Sequence, residues 1–364
     1  MSKLVLRGRT ALDYAIEACD TIMRKFEAPK LPPEGRFHYH QGVFLSGVMK
    51  TYQLCGDEKY YEYCKGWVDS IIDPSGFIHR FNPGQLDDLQ PGILLFTLYK
   101  KSGDERYSKA LTTLASILWN FPRNEEGGYW HKVTCAHQMW LDGLYMAGPF
   151  ASQFACEFGY PEFYKQVVSQ ALLMEEKTRD EETGLLYHGW DAMKVKPWAD
   201  PVTGRAPEFW GRAMGWVPVA LLDDLDYLPE DQEGRQDVIR MMTDLLKALC
   251  PYQGEEGLWY QVVNKGDQPG NWPESSCTCL YSAAICKAVR KGYLDESYLE
   301  YARKGYEGVI NRLKWDENGM IIDNICVGTG IGDYQFYCNR PTSVNDLHGV
   351  GAFLIMASEV EKIL

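Results

Sequence analysis

Six short segments of the chain concentrate the carboxylates, imidazoles and cations that could move a proton or hold an anion. They are Phe37–Gln41 with His38 and His40, the neighbours Asp87 and Asp88, His131 with Lys132, the run from His137 to Gly143 that carries Trp140 and Asp142, Tyr187–Asp191 with His188, and Glu208–Arg212 with Trp210. Paired aspartates are the usual means of general acid–base work on a polar substrate. Arginine grips a carboxylate through two parallel hydrogen bonds, whereas lysine acts as a point charge. Each segment also has a plainer explanation. Asp87 and Asp142 stand just ahead of apolar runs, where an aspartate commonly caps a helix. His188 could be a satisfied structural hydrogen-bonder, and Lys132 and Arg212 ordinary ion-pair partners. On residue types alone both explanations stay open.

Other chemistries find less support. The pairs His38/His40 and Cys277/Cys279 look like metal ligands, but their spacing matches no common zinc pattern, and no metal is expected. A phosphate-cradling Walker loop, a dinucleotide fingerprint after a strand and a GxSxG elbow are all missing, so no cofactor is expected either.

The elements that must position these residues show in an internal repeat. A glycine followed by bulky and aromatic residues and then a polar one recurs six times, beginning at Gly35, Gly76, Gly128, Gly184, Gly257 and Gly319. Successive copies lie about 40 to 75 residues apart, room for two helices each and too irregular for a solenoid of short repeats. After each copy comes an apolar, glycine-bearing segment such as QGVFLSGVMKTYQL or LHGVGAFLIMASEV, then a turn, then an amphipathic helix. Gly56 and Gly103 close helices, and Asp57 and Asp104 cap the next ones. Pro161 suits an early helical position. Tyr107, Ala110, Leu111, Leu114, Ile117 and Leu118 form a one-sided stripe at helical spacing. With a leading helix near Thr10–Phe26 and a closing one near Asp346–Leu364, the spacing predicts about twelve helices. Six inner and six outer helices in one closed toroid, a single all-α domain over residues 1–364, follow as the expected architecture. The six phrases would then gather at one end of the barrel, beside the starts of the inner helices.

Composition bounds the setting. A chain of 364 residues with 45% hydrophobic content can bury a large core. None of its segments approaches the ~18 apolar residues of a membrane span, and the first residues lack the apolar region of a secretory signal. Eleven scattered cysteines, odd in number, suit reduced thiols and a cytoplasmic location. A net charge of -13 argues against nucleic acid and membrane surfaces as partners, and obliges any anionic substrate to find a local cluster of cations. Aromatics at 13%, many in the loop-like segments, fit core edges and flat walls for sugar rings equally well.

The strings RFHYHQGVFLSGV, HQMWLDGLYMAGPF, PEFWGRAMGW, NWPESS with the following Cys277, NDLHGVGAF and the Tyr187–Asp191 stretch resemble the unsaturated rhamnogalacturonyl hydrolases, glycoside hydrolase family 105. The likeness runs from about residue 10 to the end. It implies an (α/α)6 barrel, in agreement with the helix pairs counted above. The implied substrate is a lyase product, a short acidic oligosaccharide whose non-reducing-end galacturonic acid carries a C4=C5 double bond and is linked to rhamnose. Because the ring oxygen sits on C5, that bond is an enol ether. Protonation at C4 and addition of water at C5 give a hemiketal, which opens and releases the next sugar, so the carboxylate spacing that sorts ordinary glycosidases does not apply.

Carried over by position, the resemblance makes Asp142 the general acid and base, with a carboxyl expected to be raised by burial or a neighbouring carboxylate. It makes Asp87 the neighbouring aspartate, with Asp88 a competing assignment, and His188 the active-site histidine that binds substrate or orients water. Lys132 and Arg212 would meet the uronate, and Tyr39, Trp140, Trp210 and Trp216 would wall the site. The FNPGQ segment before Asp87 is longer than the family pattern, which bears on that loop and on the substrate's second sugar. Relatives acting on unsaturated glucuronyl units share the mechanism, so the leaving sugar stays open, as does the choice between a monomer and a weak homo-oligomer. A sugar epimerase or polysaccharide lyase on the same scaffold would need a histidine or tyrosine base in place of Asp142. A non-catalytic carbohydrate-binding protein would need no acid at all.

Overall fold

The computed structural model describes residues 3–364, and its regular structure is almost entirely helical. In chain order the helices are α1 (Ala11–Lys25), α2 (Tyr39–Cys55), α3 (Glu58–Asp69), α4 (Ile93–Ser102), α5 (Glu105–Trp119), α6 (Asp142–Phe158), α7 (Glu162–Thr178), α8 (Gly211–Leu225), α9 (Arg235–Leu249), α10 (Ser275–Arg290), α11 (Leu299–Arg312), α12 (Tyr334–Cys338) and α13 (Leu347–Ile363). Six of them, α2, α4, α6, α8, α10 and α13, pack each on the next, and α13 returns to pack on α2, which closes the ring. The other long helices lie outside it: α3 against α2, α5 against α4, α7 against α6, α9 against α8, α11 against α10, and α1 across α13 and α2. The expected (α/α)6 barrel is therefore the observed one.

The two rings differ because their sequences do. On α5 the stripe of Tyr107, Ala110, Leu111, Leu114 and Leu118 is buried, Ile117 is half-buried, and Lys109, Thr112 and Thr113 are exposed, as an outer helix needs. Inner α10 is buried along nearly its whole length, from Ser275 to Val289. Small residues let the inner helices approach. A Cβ on Gly47 would stand 2.5 Å from Leu354 Cβ, and one on Gly351 would stand 2.5 Å from the Val43 carbonyl oxygen, so α2 and α13 cross with backbones nearly touching.

Helix starts follow local chemistry. Thr10 forms a capping box with Asp13, and the side chains of Asp57 and Asp104 accept from the backbone N–H of Lys59 and Arg106. Gly56 and Gly103 end α2 and α4 in the left-handed conformation, which glycine adopts without a steric cost. Pro161 is the N-cap of α7, one place earlier than its first helical position. Among the described residues, no helix is long and apolar enough to cross a membrane.

The chain between an outer helix and the next inner one crosses the same end of the barrel each time, and these crossings pair with one another. The short strands β1 (Gln138–Trp140) and β2 (Gly189–Asp191) run antiparallel, with Trp140 opposite Gly189. Single bridges join Gln85 to Lys132 and Trp210 to Val262. Further strands are β3 (Lys314–Asp316) with β4 (Gly319–Ile321), and β5 (Ile325–Cys326) with β6 (Thr342–Ser343). Helix α12 lies in the chain between β5 and β6; the spacing of apolar residues did not foretell it.

Candidate active site

Backbone pairing sets the positions of the two candidate aspartates. Leu86 N–H donates to the His131 carbonyl and Val133 N–H to the Gly84 carbonyl, so the FNPGQ segment lies alongside Lys132. That brings Lys132 Nζ to 2.7 Å from Asp87 Oδ2 and His131 Nε2 to 3.5 Å from Asp87 Oδ1. Leu141 N–H donates to the His188 carbonyl at the end of the β1–β2 pair, and His188 Nε2 comes within 3.1 Å of Asp142 Oδ2.

Neither aspartate caps a helix. Asp142 is the first residue of α6, whose N-cap is Leu141, and no side chain caps that start. Asp87 sits in a short 3-10 turn, Leu86–Asp88, again without a side-chain cap. Asp88 is a different case. Its carboxylate accepts from Asn82 N–H at 2.9 Å and from Gln85 Nε2 at 2.6 Å and pairs with His38 Nδ1, which fills its lone pairs and turns it away from solvent. The long FNPGQ segment thus holds Asp88 and leaves the buried Asp87 to face the cavity.

Asp87 and Asp142 line one cavity of about 350 Å³ at the loop end of the barrel. Lys132 and Arg212 lie on the same wall, together with Tyr39, Trp140, Trp210 and Trp216. Trp140 stacks on His131 with ring centroids 4.4 Å apart, Trp216 on Tyr145 at 4.6 Å, and the Arg212 guanidinium lies over the Trp210 ring at 4.5 Å. Arg212 is held from behind: Nη1 donates to the Cys326 carbonyl at 2.6 Å and Nη2 to the Val327 carbonyl at 3.0 Å. Its nearest carboxylate, buried Glu274, stands 3.9 Å off and is itself the cap of α10, accepting from Cys277 N–H. His188 is fully buried and reaches the cavity only through Asp142, its other nitrogen bonding the Tyr337 hydroxyl at 2.7 Å.

The charges of the site oppose one expectation. Burial pushes the Asp142 carboxyl up, but the His188 hydrogen bond and the fields of His188, His131 and Arg212 together bring it below the usual carboxylate value. Asp87 follows the same pattern, with burial opposed by His131, Lys132 and His38. These neighbours therefore hold both carboxylates ionised, the reverse of the raised Asp142 that acid catalysis calls for. The cause is the ring of nitrogen donors assembled from four separate loops. Burial also lowers His131 to about 4, so this imidazole is neutral near pH 7 and adds its charge only in the acid range where the aspartates titrate.

The metal-like pairs separate. Cys277 and Cys279 are two residues apart on α10, about 200° around the helix, and both are buried thiols. His38 serves Asp88. His40 instead meets Asp346 and His348, whose candidate ligand atoms lie within 4.8 Å of one another. There, His348 Nε2 donates to the Cys326 carbonyl at 3.0 Å, and Asp346 Oδ1 lies 2.8 Å from His348 Nδ1 and 3.9 Å from His40 Nε2. Those unequal separations are those of a His–Asp contact with a second imidazole nearby; ligands around one tetrahedral zinc would stand about 3.3 Å apart.

Several lining groups escaped sequence reasoning. Gly328, Thr329, Gly330 and Arg340 come from the chain around α12. The run VGTGIG was the one local sign of a close approach there. Tyr337 meets His188 from 149 residues away and Glu274 meets Arg212 from another segment, and no spacing announces either contact.

A family model described as Glycosyl Hydrolase Family 88 matches residues 14–364. A solved glycoside hydrolase of family 105 from C. acetobutylicum superposes with a TM-score of 0.92 at 34% identity, covering 96% of this chain and 99% of that one. The unsaturated rhamnogalacturonyl hydrolase YesR of Bacillus subtilis is 26% identical over 296 residues, 80% of this chain and 79% of that protein. The fold, at 15% identity and a TM-score of 0.73, is also that of an unsaturated glucuronyl hydrolase from Bacillus sp. GL1, with 95% of each chain covered.

Proposed function

The chain belongs to the unsaturated glycuronyl hydrolases grouped as glycosyl hydrolase families 88 and 105, and from that premise we propose that it removes a Δ4,5-unsaturated galacturonic acid from the non-reducing end of short rhamnogalacturonan oligosaccharides. One observation carries the reading: Asp142 and Asp87 face a single cavity that also presents Lys132, Arg212 and a wall of indole rings. Cations for a carboxylate, flat faces for a pyranose and an acid within one small space are what enol-ether hydration of a uronide needs. The whole chain from residue 1 to 364 acts as one catalytic domain in this reading.

Asp142 is the general acid and base. A uronate bound beside it adds a like charge and removes water, and both push its carboxyl back up from its low resting value. Its proton goes to C4, the C4=C5 electron pair forms the new C–H bond, and the ring oxygen stabilises the cation left at C5. Water adds at C5 and returns a proton to Asp142. The hemiketal then opens by breaking the bond between C5 and the ring oxygen, and the hemiacetal left at C1 expels the neighbouring sugar. Asp87, tied to Lys132, holds sugar hydroxyls rather than donating. Arg212, steadied by two backbone carbonyls, offers its remaining N–H groups to the uronate carboxylate. His188 supports Asp142 from behind. All eleven cysteines are free, which supports a reducing, cytoplasmic setting.

The test uses an unsaturated galacturonyl-rhamnose disaccharide and follows the ultraviolet absorbance of its conjugated double bond. Loss of absorbance, abolished in Asp142→Asn with binding retained, is the expected result. A rise would mark a lyase, and binding without change would mark a carbohydrate-binding protein; either overturns the proposal. A faster loss with an unsaturated glucuronyl disaccharide would move the substrate assignment to that sugar and leave the reaction as stated.

A further inference from the structure

Helix α12 contributes one fully buried side chain, Tyr337, while the chain on either side of it supplies Gly328, Thr329, Gly330 and Arg340 to the cavity wall. The Tyr337 ring lies parallel to Trp210, centroids 6.0 Å apart, and its carbonyl accepts from Gln261 Nε2 at 3.1 Å. Its hydroxyl is 2.7 Å from His188 Nδ1, and on the far side of that imidazole Nε2 is 3.1 Å from Asp142 Oδ2. Phenol, imidazole and carboxylate thus form a line that ends at the cavity. We propose that Tyr337 is a positioning residue that decides which nitrogen of His188 carries the proton facing Asp142. The inference rests on the reading of Asp142 as the acid and base given above.

A neutral imidazole has one donor nitrogen and one acceptor nitrogen, and the bond made by one determines what the other can do. Burial raises the Tyr337 phenol well above its ordinary value, so the group stays a hydroxyl with a proton to give. The Gly332 N–H approaches that oxygen at 3.5 Å and takes up an acceptor position, which directs the hydroxyl proton toward Nδ1. Nδ1 then accepts, Nε2 keeps its hydrogen, and Nε2–H donates to the Asp142 carboxylate. This is the resting arrangement, and its Nε2–H bond is one of the causes that hold the Asp142 carboxyl low.

A proton taken up by the same line goes to Asp142 and leaves the imidazole as it was. Asp142 becomes the carboxylic acid with its O–H toward the cavity, while its Oδ2 still accepts from Nε2–H and Nδ1 still accepts from the Tyr337 hydroxyl. By fixing the hydrogen on Nε2, Tyr337 denies the acid's O–H a bare nitrogen to donate to, so that proton stays available to C4. After Asp142 gives its proton to C4, its carboxylate keeps the same Nε2–H bond until water at C5 restores the proton. No oxidant or further reactant enters.

Tyr337→Phe keeps the ring and removes the hydroxyl. In nitrogen-15 histidine spectra of the substrate-free protein, with the His188 signals assigned by loss in His188→Gln, the parent should show hydrogen on Nε2 and an accepting Nδ1. The variant should show a mixture of tautomers. Its kcat should fall about 10- to 100-fold, the usual effect of removing a group that orients a reacting side chain, while KM stays within about threefold. The acid limb of its rate profile should shift. A parent His188 with hydrogen on Nδ1 and a bare Nε2 at rest overturns the inference without any variant, so it stays decidable if the variant does not fold. A folded Tyr337→Phe with the parent's tautomer and rate profile overturns it too, even if the rate drops. A parent protein that consumes no unsaturated uronide while showing the stated tautomer defeats the functional reading and leaves this hydrogen-bond line intact.

Discussion

The two ends of the barrel both hold a charged cavity, and they use charge in opposite ways. The end away from the loops encloses about 500 Å³ bounded by side chains that include Lys50, Asp223, Asp226, Lys287, Glu359 and Lys362. There each of those carboxylates sits directly on a cation: Asp223 and Asp226 share Lys287, Asp226 also meets Lys291, and Glu359 lies between Arg290 and Lys362. The inner helices end here, and their C-termini favour the lysines as well. At the loop end the matching is incomplete. Asp142 has an imidazole for its direct partner, Arg212 spends two donors on carbonyls, and Arg340 meets no carboxylate among the described residues. Carboxylates each matched to a cation stabilise a fold, and among the described residues of the far end only the cation Lys50 lacks an ion pair; a carboxylate without a cation is free to meet a ligand.

The largest expected effect separates the two ends. Asp142→Asn should lower kcat by about 10²- to 10⁴-fold, the range for a general acid–base group, with a melting point close to the parent's. A wholly active Asp142→Asn would remove the functional meaning of the unmatched end. Next in size, Lys287→Met strands Asp223, while Asp226 keeps Lys291, and should cost about 3 to 5 kcal/mol in urea unfolding, with unchanged kcat per folded molecule. If that variant instead lost activity at full stability, the far cavity would not be the structural feature described here.

How much of this the sequence held depends on the range of the interactions. Thr10, Asp57, Asp104, Gly56 and Gly103 act within a turn of themselves, and the helices start and stop where they indicate. The stripe on α5 and the glycines of α2 and α13 told inner from outer. Asp87 and Asp88, by contrast, are equivalent neighbours in sequence; only the contacts from His38, Asn82 and Gln85 show that Asp88 is the enclosed one. The low Asp142 carboxyl is a sum over His188, His131 and Arg212, three loops apart, and Tyr337 reaches His188 from 149 residues away. Nothing local encodes those meetings.

Acid should test the comparison more gently. Lys, Asp, Glu and Arg side chains carry the charge of the far end, and no histidine is among the residues lining it. At the loop end His131 is held near 4, below its ordinary 6.5, mainly by burial. Between those two values the unfolded chain binds a proton that the folded chain refuses, so stability rises with pH and falls on acidification through this window. The slope from this one group is about 1.4 kcal/mol per pH unit. His131→Phe should flatten the stability curve between pH 6.5 and 4. An unchanged slope would mean that the acid sensitivity lies elsewhere.

The smallest effect concerns two aspartates that look alike in sequence. Asp104 precedes α5 on the outer ring and accepts from Arg106 N–H at 3.0 Å, whereas Asp142 begins α6 on the inner ring and caps nothing. Asp104→Ala should therefore cost about 0.5 to 2 kcal/mol of stability and leave kcat unchanged, and Asp104→Asn, which keeps a capping oxygen, should cost a few tenths at most. Asp142→Ala and Asp142→Asn should show the reverse pattern, since the Asp142 oxygen supports no helix start and its charge belongs to the cavity. Both variants of each pair can be compared in one melting series and one rate assay. A stability loss at Asp142→Ala equal to that at Asp104→Ala would return Asp142 to the role of a cap, and with it the distinction between a ring that only holds its helices and a ring that presents its carboxylates would fail.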